Sequence, residues 1–317
     1  MGPLLRRTNA WRGVIGLNYH RIGDGRDSVF DRGLWSATPE QFDRQVALLK
    51  RHCDLIAPAD LKDVLRRRRG RYGLITFDDG YRDNYECAFP ILKSHGVKGA
   101  FFVTSGFLDR PRLAWWDEIA WMVRTSNKRS IPAGGWFDGD VRIDDPDREH
   151  AVRTLLRKYK ALPGSETGRY IDFLADATGS GRYRGDGVSE LWMTWDMARE
   201  MRAAGMCIGG HTVNHPVLAR LPAEEQDAEV LGCKKRIEDE LREPMRYFSY
   251  PVGGPGAFND DTRRCLQSRG VELAFSYYGT FIRFAAWDAY DVPRVAVEQC
   301  TTQGDLAALM ALPQLLA

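Results

Sequence analysis

The sequence predicts an α/β fold, a (β/α)-type barrel with a mostly helical insertion. Three observations lead there. First, short apolar runs alternate with amphipathic stretches along most of the 317-residue chain, the pattern of a parallel sheet covered by helices. Second, Gly73 to Phe77, a helical pattern from Asp83 to Ser94 stopped by Gly96, and GAFFV at 99–103 follow one another at the spacing of a βαβ unit. Third, the alternation breaks between about 110 and 190. Trp115, Trp116 and Trp121 open that stretch. A polar loop with Pro132, Gly134 and Gly135 follows, then helical patterns near 147–161 and 166–177, then GSGRYRGDG. The expected organisation is one domain over 1–317 with an insertion at about 110–190.

The elements follow in order. Val14 to Asn18 is an apolar run ending at Tyr19-His20-Arg21, a first strand. Thr38-Pro39-Glu40-Gln41 is a helix start, with Thr as N-cap, Pro at the first position and Gln at the third. Ala59 to Arg69 reads as a helix stopped by Gly70. After the insertion, Thr194 precedes a helix over Trp195 to Ala204, Met206 to Gly209 is a strand, and Ala223 to Leu241 is a long helix. Tyr247 to Tyr250 is a strand running into a Gly/Pro-rich loop. Asn259 to Ser268 is a helix, and Leu273 to Ser276 and Val295 to Val297 are strands. Thr302 to Leu312 closes the chain as a helix.

Composition narrows the classes. A hydrophobic share of 44% and a charged share of 28% describe a globular protein, not a disordered, collagen-like or multi-span membrane chain. The 45 basic and 43 acidic residues leave a net charge of +2, so no global field calls for a nucleic-acid partner. Six Cys without a C-x-x-C pair suit reduced, mostly buried thiols and a cytoplasmic setting. The first twenty residues lack the apolar stretch and small-residue cleavage site of a secretory leader, and no window approaches a membrane span.

Three clusters carry chemistry. Thr76-Phe77-Asp78-Asp79-Gly80 lies where a strand ends and the chain turns, the end at which parallel α/β proteins bind ligands. Adjacent carboxylates repel unless a cation or a proton resolves the conflict, so one can ligate a metal while the other acts as a base. The competing reading is a turn with capping acids. Gly209-Gly210-His211-Thr212-Val213-Asn214-His215-Pro216 again follows a short strand. Its two His at i and i+4 would share one face of a helical turn and, with one carboxylate, make a two-His, one-carboxylate metal site with open positions. Arg246-Tyr247-Phe248-Ser249-Tyr250-Pro251-Val252-Gly253-Gly254 is a strand entering a loop, whose backbone N–H groups can face an oxyanion.

In this order, the three clusters resemble the polysaccharide deacetylase family, also called the NodB-homology or carbohydrate esterase 4 family. T-F-D-D-G is close to the family's first motif, and H-x-x-x-H after a strand is its second. The resemblance implies a distorted (β/α) barrel binding one divalent metal, most often zinc, with cobalt or nickel as substitutes. It also implies hydrolysis of an acetyl group on a sugar, here an N-acetyl group on an amino sugar in a glycan, a glycan precursor or a glycoside. Carried over, Asp79, His211 and His215 are the implied metal ligands and Asp78 the general base. The N–H of Val252 becomes an oxyanion donor by its place in the third motif, and Tyr250 a neighbouring substrate contact.

Two features depart from the commoner pattern. Ser249 stands where an Arg usually pairs with the base, and no His follows His215 to serve as the acid. A Y-H start, a Y-P-x-G third motif and a late P-R are similar to the branch that includes exopolysaccharide deacetylases of biofilm matrices. Arg294 is then a candidate for holding Asp78 ionised, or a surface salt bridge. His20 is a candidate for lining the barrel mouth as the acid, or a structural residue. Trp115 and Trp116 are candidates for stacking on sugar faces, or for packing the insertion. The run Leu65 to Arg71 reads as a helix end with its cations or an anionic-surface contact. The apolar stretch 306–313 reads as a packed closing helix or a peripheral membrane contact. Two further functional readings stay open: hydrolysis of another linear or cyclic amide on the same fold, and a glycan-binding protein that has lost turnover.

Overall fold

A computed structural model of the protein describes residues 11–279 and 281–313. The expectation about a leader falls in part on the first ten residues, which lie outside the described ones. Contacts divide the chain into two compact units, one of Met1–Asp24, Leu34–Arg110 and Glu190–Ala317, the other of Gly25–Gly33 and Pro111–Ser189.

The first unit is built on an eight-stranded sheet: β1 (Gly13–Tyr19), β2 (Asp54–Leu55), β3 (Arg71–Phe77), β4 (Ala100–Val103), β5 (Cys207–Gly210), β6 (Tyr247–Ser249), β7 (Leu273–Phe275) and β8 (Val295–Ala296). The spatial order is β7-β6-β5-β4-β3-β1-β8, with β2 also on β3, and these strand pairs are parallel. The two edges are joined by one short segment. Val292 bridges Phe275 on β7, and three residues later Val295 pairs with Leu17 on β1. The result is the distorted (β/α) barrel expected from the alternation. Burial explains the strand sequences: every residue of β1 and β4 is buried, so these runs are apolar without period-2 alternation.

The helices follow their caps. Thr38 and Gln41 form a capping box, Gln41 N–H donating to Thr38 Oγ1 (3.2 Å) and Thr38 N–H to Gln41 Oε1 (2.8 Å), and the helix runs Pro39–His52. Thr302 caps Gln303–Ala311 with a capping box of its own, closed by Asp305, and Thr194 caps Trp195–Ala203 by accepting the Met197 N–H. The closing helix buries Leu306, Leu309 and Met310, and Trp11 Nε1 donates to the Met310 carbonyl at 2.7 Å. That helix is therefore packed, as the first of its two readings had it. Among the described residues, no helix is long and apolar enough to cross a membrane.

Three expectations are corrected. The helix expected over Ala59 to Arg69 is shorter, Leu61–Arg67, because Arg68 already turns left-handed at φ 51°. The helix expected from Asp83 to Ser94 is present but not α throughout: a π turn, Asn84–Ala88, leads without a break into the α-helix Phe89–Ser94. Pro90 has no N–H to continue an α ladder, and the wider turn absorbs the gap. The third concerns the histidine loop and is described with the site.

The second unit holds three helices, Trp115–Thr125, Arg148–Ala161 and Gly164–Thr178, and a small antiparallel pair, Ser130–Ile131 with Val141–Arg142. Its mostly helical character agrees with the sequence pattern. Gly25–Gly33 belongs with it, tied by the Asp31 N–H donating to Asp117 Oδ1 at 2.9 Å. All six Cys are free thiols, with Cys53, Cys233 and Cys265 buried.

Candidate active site

The first unit gathers its polar residues at the carboxyl ends of the strands. His20 follows β1, Asp78 and Asp79 follow β3, His211 and His215 follow β5, Ser249 ends β6, and Tyr277 follows β7. Parallel strands all present the same end, so residues far apart in sequence converge there.

Backbone strain is concentrated at this end. Among the described residues, six non-glycine residues have positive φ. Arg68 and Arg242 end helices. The other four are Asp79 (75°), Thr212 (66°), His215 (57°) and Val252 (64°). Asp79 and Val252 each sit at the centre of a tight three-residue turn, closed by Gly80 N–H to the Asp78 carbonyl (3.0 Å) and by Gly253 N–H to the Pro251 carbonyl (2.7 Å). Such conformations cost about 1–3 kcal/mol each and persist where the surroundings impose them.

The histidine loop corrects the helical turn read from the i, i+4 spacing. Residues 211–217 are irregular. Pro216 disfavours a helical His215, and positive φ at Thr212 and His215 folds the loop back on itself. Glu229 holds the fold: its carboxylate accepts from the N–H groups of Val213 (2.9 Å) and Asn214 (2.8 Å) and from Asn214 Nδ2 (2.5 Å). Thr212 Oγ1 accepts the His215 N–H at 2.9 Å.

The loop brings the two imidazoles to Asp79. His211 Nε2 lies 3.4 Å and His215 Nε2 3.3 Å from Asp79 Oδ1. One ligand atom from each of the three residues lies within 4.8 Å of the others, and all three residues are buried. Among the described residues, Asp79 Oδ1 has no hydrogen-bond partner. His211 Nδ1 lies 2.7 Å from the Ser249 carbonyl. A carbonyl only accepts, so Nδ1 carries a proton, which leaves Nε2 as the ring atom on the Asp79 side that a cation would take. Two imidazole nitrogens converging on a carboxylate in a dry pocket are the donor set of a cation site, and such a set suits zinc, cobalt or nickel. Burial opposes ionisation of Asp79, but contacts with His211 and His215 hold its carboxyl far below the usual range. Burial also pushes His215 down.

Asp78, 3% exposed, has a different environment. Arg294 meets it bidentately, NH1 to Oδ1 at 2.8 Å and NH2 to Oδ2 at 2.9 Å. Asn18 Nδ2 and Ser249 Oγ each donate to Oδ2 at 3.1 Å. Burial alone would raise the Asp78 pKa, but the Arg294 guanidinium, helped by His211, brings it below the usual carboxylate value. Arg294 is itself 1% exposed. Its other donors reach the Ser276 carbonyl (2.9 Å), Asn18 Oδ1 (2.7 Å), Thr76 Oγ1 (3.0 Å) and Ser249 Oγ (2.7 Å). The surface salt bridge considered for Arg294 is thus replaced by a fully buried pair. The segment that joins the sheet edges delivers Arg294 from the far end of the sequence to the place left by the third-motif Ser.

The other sequence candidates fall in several places. His20 is half-buried and edge-on to Tyr277, with ring centres 5.4 Å apart. The Val252 N–H makes no hydrogen bond among the described residues. Tyr250 is buried, stacked on Phe258 at 3.8 Å, and its hydroxyl donates to the Tyr290 carbonyl at 2.8 Å. Trp115 and Trp116 belong to the second unit. Trp115 stacks on Tyr159 at 4.0 Å, and Trp116 is buried edge-on to Trp115. Asn18 and Glu229 had no signal of their own in the sequence, and Thr76 stood there only as the first residue of the T-F-D-D-G motif. Each is a common polar residue whose partner lies on another element.

The model of the polysaccharide deacetylase family matches residues 66–130 and 146–274, more than half of the chain. The chain belongs to the polysaccharide deacetylase family. Among curated proteins, this deacetylase-family chain is 20% identical over 200 residues to YxkH of Bacillus subtilis (strain 168). The match covers 63% of this chain and only 42% of YxkH, so the chain matches about two fifths of that relative's length. Solved structures share the fold. The Streptococcus pyogenes deacetylase PplD, in complex with acetate, superposes with a TM-score of 0.62 at 17% identity, covering 94% of this chain and 98% of that one. IcaB from Ammonifex degensii gives 0.60 at 20% identity, covering 96% and 98%. The de-N-acetylase from Aggregatibacter actinomycetemcomitans gives 0.58 at 16% identity, covering 93% and 98%. Family membership supports deacetylation of glycans.

Proposed function

We propose that this chain is a metal-dependent hydrolase that removes the N-acetyl group of an amino sugar in a glycan, a glycan precursor or a glycoside. One observation carries the proposal: a buried Asp79–His211–His215 donor set stands beside a second buried carboxylate, Asp78, that Arg294 keeps ionised. A site built only to bind a sugar has no need of an ionised, paired carboxylate next to a cation site. The sheet arrangement shared with PplD and the de-N-acetylase agrees with this reading.

Asp79, His211 and His215 would hold one divalent ion. When bound, the ion supplies the charge that polarises the acetyl carbonyl and acidifies a water. The chain's own residues do the rest. Asp78 takes a proton from the attacking water as the water oxygen bonds to the acetyl carbon. The free N–H of Val252, held outward by its strained turn, donates to the carbonyl oxygen as it gains charge. His20 is the candidate that returns a proton to the nitrogen as the C–N bond breaks. The amide and one water thus become acetate and an amine. Arg294 holds Asp78 in its basic form against the cost of burial.

The test is acetate release by the purified protein from a panel of N-acetylated glycosides and oligosaccharides, after chelation and again after adding zinc, cobalt or nickel. Metal-dependent acetate release is expected. Stoichiometric metal with no acetate from any member would move the reading to another amide, and no bound metal would end it.

A further inference from the structure

Ser249 touches both halves of the site. Its carbonyl lies 2.7 Å from His211 Nδ1, and its hydroxyl donates to Asp78 Oδ2 (3.1 Å) while accepting from Arg294 NH2 (2.7 Å). Asn18, fully buried on β1, mirrors it from the other side. Its Nδ2 donates to Asp78 Oδ2 (3.1 Å), and its Oδ1 accepts from Arg294 NH1 (2.7 Å). The donors on Asp78 are therefore unequal. Among the described residues, Oδ2 accepts from Asn18, Ser249 and Arg294, and Oδ1 accepts from Arg294 alone. A carboxylate oxygen has two lone-pair sites. Those of Oδ2 are filled, and one on Oδ1 is open.

We propose that Asn18 and Ser249 are positioning residues: by occupying Oδ2 and fixing the plane of the Asp78 carboxylate, they make Oδ1 the atom that takes the proton from the attacking water. This rests on the reading of Asp78 as the base. In the step, the O–H bond of water breaks and its proton goes to Oδ1. The water oxygen bonds to the acetyl carbon, and the carbonyl electron pair moves to its oxygen. No further reactant is needed. The guanidinium that the third-motif Arg usually supplies comes from Arg294, which meets Asp78 directly, and the Ser249 hydroxyl braces both partners.

The test compares Ser249→Ala, Ser249→Thr, Asn18→Ala and the double alanine variant as zinc-loaded proteins, with a pentamer of N-acetylglucosamine as probe. Partners one layer out from a reacting group typically contribute on the order of 10- to 100-fold, so kcat of either alanine variant should fall by that factor. KM should stay within about twofold, because the interaction serves the transition state. Ser249→Thr keeps the hydroxyl and should recover most of the rate. Zinc content should stay stoichiometric in every variant, because the Ser249 carbonyl that orients His211 is main chain. A loss in KM alone, or kcat within about twofold of the parent, would overturn the proposal. So would a crystal structure of the double variant with the Asp78 carboxylate unmoved, whatever the activity on the pentamer. Asp78→Asn separates this from the reading beneath it. If Asp78→Asn is inactive and the alanine variants are not, only the positioning role fails. If Asp78→Asn is fully active, the base assignment itself fails.

Discussion

Arg294→Met removes the cation but keeps most of the volume. It leaves Asp78, 3% exposed, without the guanidinium that meets both of its oxygens at 2.8 and 2.9 Å. Breaking a buried pair from one side costs about 3–5 kcal/mol, because the remaining charge has lost its water and its partner. Asn18 and Ser249 still donate to Oδ2, which places the loss toward the lower figure. For a chain of 317 residues, 3 kcal/mol corresponds to roughly 4–5 °C in unfolding midpoint. The assay is denaturant unfolding at pH 7, repeated down to pH 3, for the parent, Arg294→Met, Asp78→Asn and the double variant. The sign with pH follows from Asp78. Its folded pKa lies below the ordinary carboxylate value, so the pair's stabilisation is complete above the unfolded value of about 4 and fades as pH falls through the depressed folded value. In Arg294→Met the carboxyl instead takes up a proton readily, so the gap between variant and parent narrows below about pH 4. Removing both charges should return part of the stability, giving a coupling of opposite sign to the single losses. Stability of Arg294→Met within 1 kcal/mol of the parent at pH 7, or a double variant no more stable than Arg294→Met, would refute a buried, ionised pair.

Three further outcomes are expected. His215→Ala should purify without its divalent ion while keeping its far-ultraviolet dichroism; metal analysis showing one ion per chain would remove His215 from the ligand set. Glu229→Ala frees the loop that presents both histidines, so zinc affinity should drop on the order of 10- to 100-fold, and competition with a fluorescent chelator that finds no change would show that the loop holds itself. Thr38→Ala removes one side of an observed capping box and should cost about 1 kcal/mol with no change in acetate release, as read by parallel unfolding and activity curves.

The local elements were legible because each is set by neighbours in sequence. Thr38 and Thr194 announced their helices through capping chemistry, and the helix Ala223–Leu241 runs over the residues expected from its pattern. Where local signals competed, the reading drifted. Pro90 widened one turn of an expected helix from α to π, and Pro216 with two positive-φ residues replaced a helical turn by a loop.

At the site, the sequence by itself determined Asp78, Asp79, His211 and His215 as a set, because each lies in a short motif directly after a strand and parallel strands present one common end. It also offered Arg294 and His20 without deciding between their roles. Only the tertiary structure decided that Arg294 is the buried partner of Asp78, that Ser249 and Asn18 fill one oxygen of that carboxylate, and that Glu229 holds the histidine loop. The reason is physical. A motif records which groups are adjacent along the chain, whereas a buried charge is satisfied by whatever donors the closed sheet brings to it. Arg294 and Asp78 are 216 residues apart, and only the pairing of β8 with β1 makes them neighbours.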